Sequence, residues 1–269
     1  FKEIGDARPR AAAPFEKLHM DLFSVTTTSL GGANNCLLVT DDNSRWRMAF
    51  PIKHKSDALK CLEKIMVEIK AIQQDAQVRE VRINTFHSDN GGEFVGAAFQ
   101  TKCREYGVQQ IFSAPYTPEQ NGIAERAIQI VVAMARTMRL QAGLPLAFWA
   151  EFVATAVYVL NRSPTEALQG DTPFHKVYGR HALLDHLRVP GCLASVLYYP
   201  QQREDKKFGA RAWDGVLIGY DPFNRTNYKI YDPQRKGMFY SAHVKFDERT
   251  FPAKNPKPVQ EELNILDLY

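Results

Sequence analysis

A chain of 269 residues that is 45% hydrophobic, 24% charged and 11% aromatic has the make-up of one large or two modest folded domains, and excludes wholesale disorder, collagen and coiled coil. Its 34 basic and 30 acidic residues leave a net charge of +4, an excess that permits nucleic-acid binding without demanding it. Cys36, Cys61, Cys103 and Cys192 form no Cys-x-x-Cys pair, so neither a zinc knuckle nor a disulfide framework is expected and a reducing compartment fits best.

Taken in order, Leu18–Phe23, Asn35–Thr40 and Trp46–Phe50 alternate in the manner of strands, separated by Gly31-Gly32 and by Asp41-Asp42-Asn43-Ser44, which predicts a three-stranded meander. Ser56 can cap a helix in which Leu59, Leu62, Met66, Ile69 and Ile72 recur at helical spacing to about Gln73. Val81 to His87 reads as a fourth strand, followed by a helix from about Gly96 to Tyr106 that closes at Gly107, and by a short strand from Gln109 to Phe112. Two further helices are expected over Gly122–Ala142 and Leu146–Leu160, parted by Gly143 and Pro145. This order of elements predicts an α/β fold with a mixed sheet flanked by helices. After Asn161, proline, glycine and aromatic residues become frequent. Strand candidates at Ala194–Tyr199, Trp213–Tyr220, Asn227–Tyr231 and Met238–His243 alternate with turns, and predict a small, mostly β module. The expected divisions are a linker over 1–13, a core over 14–165, the β module over 166–250 and an extended tail over 251–269. The chain opens at Phe1 and reads as part of something longer, with no run of 18 apolar residues to enter a membrane.

Three acidic residues stand where a sheet or helix can aim them at one place: Asp21 within the first strand, Asp89 just past the fourth, and Glu125 at the start of a long helix. A carboxylate flanked by Met20, Leu22 and Phe23 is costly to bury unless it is paired or bound to a cation, and hard divalent ions prefer oxygen ligands. Two glycines, Gly91 and Gly92, follow Asp89 and allow a sharp turn beside a substrate backbone. A loop of turn formers from Pro115 to Asn121 leads into the helix that carries Glu125. At about 100° per residue that helix sets Ile128, Val131, Ala135, Met138 and Ala142 on one face and Glu125, Gln129, Arg136 and Arg139 on another. The second face suits a passing phosphodiester backbone, although solvation explains its arginines equally well. Between Gln201 and Gln260 there are 12 basic and 7 acidic residues, so the β module is its more basic part, with Lys206, Lys207 and Arg211 as candidate phosphate contacts.

The runs Phe86-His87-Ser88-Asp89-Asn90-Gly91-Gly92-Glu93-Phe94, Pro115 through Arg126, Val159-Leu160-Asn161-Arg162-Ser163-Pro164 and Leu187-Arg188-Val189-Pro190-Gly191-Cys192 resemble the integrase of copia-type LTR retrotransposons. The likeness covers about Pro14 to Glu248. In that family the catalytic set is Asp, Asp, Glu with 35 residues between the last two, and residues 90–124 here make the same interval. The resemblance implies an RNase H-like fold, with Asp21, Asp89 and Glu125 as catalytic metal ligands for two Mg²⁺ ions, for which Mn²⁺ would substitute. It implies Mg²⁺-dependent 3′-end processing and strand transfer of element DNA into target DNA. Tyr116, Gln120 and Asn121 become DNA contacts by the same likeness, and double-stranded DNA and a homo-oligomer on DNA become the partners. Action in the nucleus, with a stage in cytoplasmic virus-like particles, is expected. A domesticated or inactive nucleic-acid-binding module and an RNase H-like nuclease are the alternatives. His19 and His87, beside the acids, are read as structural.

Overall fold

The computed structural model describes residues 10–76, 82–113, 121–202, 205 and 207–254. They form two compact units, one taking in the chain up to Ala135 together with Leu146–Leu184, the other Arg136–Pro145 together with the chain from Asp185.

The first unit is built on strands β1 (Lys17–Ser24), β2 (Asn35–Asp41), β3 (Arg47–Ile52), β4 (Thr85–Ser88) and β5 (Gln109–Phe112) in the order β3-β2-β1-β4-β5. The expected meander forms: β1 with β2 and β2 with β3 are antiparallel, while β4 and β5 join in parallel. A parallel join needs a crossover, and α1 (Ala58–Ala76) supplies it between β3 and β4. α1 is entered through a 3₁₀ turn, Lys55–Asp57, whose Asp57 carboxylate accepts from the His54 amide at 3.0 Å, so Asp57 rather than Ser56 does the capping. The helix after β4 is split at Gly96 into α2 (Gly92–Val95) and α3 (Ala97–Tyr106). Then follow α4 (Gly122–Ala142), α5 (Trp149–Leu160) and α6 (Pro173–Tyr178).

Side-chain alternation sorts the sheet into two faces. Leu18, Met20, Leu37, Val39, Met48 and Phe50 pack with Leu62, Ile65, Ile69 and Phe99 of the helices in one apolar core. Phe174 and Val177 of α6 belong to that same core, which is why the first unit runs on past residue 165. The opposite face carries His19, Asp21 and Phe23, and Phe23 meets Trp149 of α5 edge-on at 6.2 Å.

The Asn161-Arg162 motif has a structural cause. At the end of α5 the Asn161 carboxamide accepts from the Arg47 amide at 2.9 Å and donates to the Arg47 carbonyl at 2.8 Å, closing the outer edge of β3. Both partners are buried. Asn161→Leu keeps the branched shape and leaves two backbone groups unsatisfied, so the expected loss is about 2–4 kcal/mol of unfolding free energy, read from the denaturant midpoint. An unchanged midpoint would contradict the role given to this side chain.

The second unit holds an antiparallel sheet of β6 (Leu193–Leu197), β7 (Ala212–Tyr220), β8 (Tyr228–Asp232), β9 (Gly237–Ser241) and β10 (Val244–Asp247), ordered β10-β6-β7-β8-β9. Val216, Leu217, Ile218 and Ile230 are its fully buried centre. Gly191 has φ +94°, and a Cβ there would lie 2.4 Å from the Ala142 Cβ, so the Val-Pro-Gly-Cys run needs glycine both for its conformation and for close packing on the end of α4. The four cysteines are free and buried. Among the described residues no helix is long and apolar enough to cross a membrane.

Candidate active site

Parallel pairing fixes the first two acids. His19 of β1 stands opposite His87 of β4; two residues further on come Asp21, on the face of β1 away from the α1 core, and Asp89, just beyond the end of β4. Asp21 is half-buried, and its backbone pairs with Leu38 of β2. Asp89 lies just past β4, and one of its carboxylate oxygens accepts from the Gly91 amide at 3.0 Å. A Cβ on Gly91 would sit 3.0 Å from that oxygen and 3.0 Å from the Glu93 carboxyl carbon, so any larger residue there would have to push these two acidic side chains back by a few tenths of an ångström.

The third acid comes from the first turn of α4, where Glu125 is exposed and its amide donates to the Asn121 carbonyl at 3.1 Å. Asn121 bridges the two elements. Its amide nitrogen lies 3.5 Å from the Asp21 carboxylate, a long contact, and its buried Oδ1 has no hydrogen-bond partner among the described residues.

The electrostatics of Asp21 report how these groups face one another. Burial pushes its carboxyl up to about 6, and the negative charges of Asp89, Glu125 and Glu93 push the same way, against the Leu22 amide that donates to it at 2.7 Å. Among the described residues, however, the Asp21, Asp89 and Glu125 oxygens are not gathered within 4.8 Å of one another. Glu93 is the member that reading the sequence did not single out; the signal was its place two residues after Gly91, on the turn Asp89 starts.

His19 turns away from the acids. Its Nε2 lies 2.9 Å from the buried Asp42 carboxylate, its ring centroid is 5.1 Å from that of His87, and burial lowers its pKa. A ring held this way orders the strand ends, in line with its structural reading.

The proposed DNA contacts fall in different places. Tyr116, Gln120 and Lys206 lie outside the described residues. Asn121 is 5% exposed and faces Asp21, which suits it to orienting a carboxylate more than to gripping a strand. Gln129 and Arg136 are exposed on α4, as are Lys207 and Arg211 in the second unit. Arg139 is half-buried, and its guanidinium donates to the Leu144 carbonyl at 2.7 Å beyond the helix end.

A five-stranded mixed sheet flanked by helices, with carboxylates brought forward from two adjacent parallel strands and a helix start, is the RNase H-like class of α/β fold. Residues 11–118 match the integrase core domain and residues 192–259 match the retroviral polymerase SH3-like domain. The first match takes in Asp21 and Asp89 and stops short of Glu125. The chain thus carries an integrase core domain followed by a retroviral SH3-like domain, and the resemblance carried by its motifs is borne out.

Among curated proteins it is 32% identical over 255 residues to the retrovirus-related Pol polyprotein from transposon RE1 of Arabidopsis thaliana, covering 93% of this chain and 16% of that one. It is 31% identical over 222 residues to the corresponding polyprotein from transposon TNT 1-94 of Nicotiana tabacum, covering 82% and 16%. The chain therefore spans about one sixth of these relatives. Among solved structures, a simian T-cell lymphotropic virus intasome in complex with PP2A regulatory subunit B56 gamma matches with a TM-score of 0.52 at 13% identity, over 88% of this chain and 80% of that one. That likeness is one of fold.

Proposed function

We propose that this chain is the DNA-joining part of a retrotransposon polyprotein, a polynucleotidyl transferase that trims the 3′ ends of element DNA and transfers them into target DNA. The observation that carries the reading is the state of Asp21. It is a half-buried carboxyl, and the charges acting on it most strongly, those of Asp89, Glu125 and Glu93, are all negative. Such a cluster calls for cations. Its donors are hard oxygens, with the buried Oδ1 of Asn121, unpartnered among the described residues, close by, which fits Mg²⁺ or Mn²⁺ and not a thiolate-seeking metal.

Asp21, Asp89 and Glu125 would hold two such ions, whose chemistry is to activate the attacking oxygen and stabilise the leaving one at phosphorus. The protein's own part is positional. β1 carries Asp21 and pairs in parallel with β4, after which Asp89 follows, and α4 would bring the third on a rigid element. Asn121 orients Asp21 through its carboxamide. Gly91 keeps the approach to Asp89 free of a side chain. Gln129 and Arg136 on α4, and Lys207 and Arg211 in the more basic β module, would take phosphates of double-stranded DNA, so affinity falls steeply as salt rises. Assembly of several copies on paired DNA ends and action in the nucleus, after a particle stage in the cytoplasm, complete the reading.

The integrase-core match and the likeness to Pol polyproteins from transposons support this assignment over that of an RNase H-type nuclease. The separating experiment offers the protein a pre-trimmed DNA duplex and an RNA:DNA hybrid side by side in Mg²⁺. Joined DNA products with an uncut hybrid are expected. Hybrid cleavage without joining would identify a nuclease, and the absence of either would leave only a nucleic-acid-binding module.

A further inference from the structure

A second cluster lies in the same unit and belongs to none of the chemistry above. Asp171, His175 and His181 bring one ligand atom each within 4.8 Å of one another. The local sequence builds this arrangement. Thr172 caps α6 by accepting from the His175 amide at 3.0 Å, Pro173 opens the helix, and His175 falls one turn above Asp171, its Nδ1 lying 2.9 Å from both carboxylate oxygens. Gly179, in the left-handed conformation, ends the helix and returns the chain so that the His181 ring stacks on that of His175, with centroids 4.3 Å apart and planes 18° from parallel.

A hydrogen bond between histidine and aspartate accounts for the first two residues. It does not account for a second imidazole laid parallel on the first beside the same carboxylate. Two imidazoles and a carboxylate are a ligand set for borderline divalent ions, zinc above all, whereas the all-oxygen cluster at Asp21 suits hard ions. We propose that Asp171, His175 and His181 form a Zn²⁺-type site, distinct from the carboxylate cluster, which clips α6 to the segment that follows it. Tetrahedral ligands at about 2.0–2.1 Å from zinc stand about 3.4 Å apart, closer than the 4.8 Å limit here, and His181 is exposed and has room to swing in. Lys176, whose Nζ is 3.6 Å from Asp171, shares the carboxylate and is 45% exposed, so an incoming ion can send it to solvent. Three protein ligands leave a fourth position for water or another donor.

The test is Zn²⁺ uptake by the whole chain, measured by competition with a chromophoric chelator, with Co²⁺ absorption as a second readout of imidazole ligation. The wild type should take up about one equivalent that His181→Ala holds at least about tenfold more weakly, since even residues behind the metal ligands cost this much. Because His181 is exposed, that variant should fold, which its melting curve in EDTA checks. Asp171→Asn, which keeps an acceptor for the Thr172 amide, should lose the same equivalent. The Asp89→Asn protein should keep it, separating this site from the acidic cluster. Equal uptake by wild type and His181→Ala, or loss of the equivalent in Asp89→Asn, would overturn the proposal.

Discussion

Replacing Asp89 by Asn should abolish Mg²⁺-dependent DNA joining while leaving the fold intact. The expected fall is about 10³-fold or more, the upper end of what removal of one preorganised electrostatic group costs an active site. At 1.36 kcal/mol per tenfold this is about 4 kcal/mol of transition-state stabilisation. The fold should survive because the one hydrogen bond described for the Asp89 side chain, from the Gly91 amide, can be accepted equally by the Asn oxygen. The variant should even gain slightly in stability without metal, since it removes one of the negative charges that raise Asp21. The check is a joining assay on a pre-trimmed duplex beside a melting curve in EDTA. Joining at the wild-type rate by a folded Asp89→Asn protein would refute the assignment.

The second large effect concerns Asp21 and stability rather than rate. Its folded carboxyl sits at about 6, above the ordinary 3.8, so between those values the native state binds the proton more tightly than the unfolded chain does. The sign follows. This group stabilises the fold at low pH and withdraws that stability as pH rises from about 4 through 6, by up to about 3 kcal/mol for a shift of this size. Asp21→Asn should therefore melt roughly 5 °C or more above the wild type at pH 8 in EDTA, given about 2–4 °C per kcal/mol for a unit of this size. Near pH 4 the difference should largely vanish. Asp41, also raised to about 6 by burial, is common to both proteins and cancels. Added Mg²⁺ should raise the melting temperature of the wild type and do little for the variant, because an ion that binds only the native state stabilises it by mass action. An Asp21→Asn protein that melts at or below the wild type in EDTA at pH 8, and that still responds to Mg²⁺, would contradict this account.

Local pattern carries far in this chain. The three meander strands, the crossover helix and the long α4 each advertise themselves through periodicity and breakers, and the apolar face read along α4 is the one whose Val131, Ala135 and Ala142 are buried. Asp21 stands out for the same reason, since a charge inside Leu18–Phe23 violates the pattern around it. Features that depend on distant partners were not. α6 is only six residues long and too short for a period to register, and it earns its place through Phe174 and Val177 in a core assembled from the sheet. β10 has only four residues and pairs with β6 across about fifty positions of chain, so nothing nearby announces it. Asn121 reads as a loop residue open to substrate, yet the start of α4 turns it inward against Asp21. His175 and His181 look like scattered surface histidines until Gly179 turns one over the other.

The most direct test of the two-ion reading is a crystal structure of the chain soaked in Mn²⁺, with anomalous difference maps. Two peaks bounded by Asp21, Asp89 and Glu125, the carboxylates drawn in around them, are the predicted outcome. Ordered side chains with no peak among them, at Mn²⁺ concentrations that support joining, would contradict it.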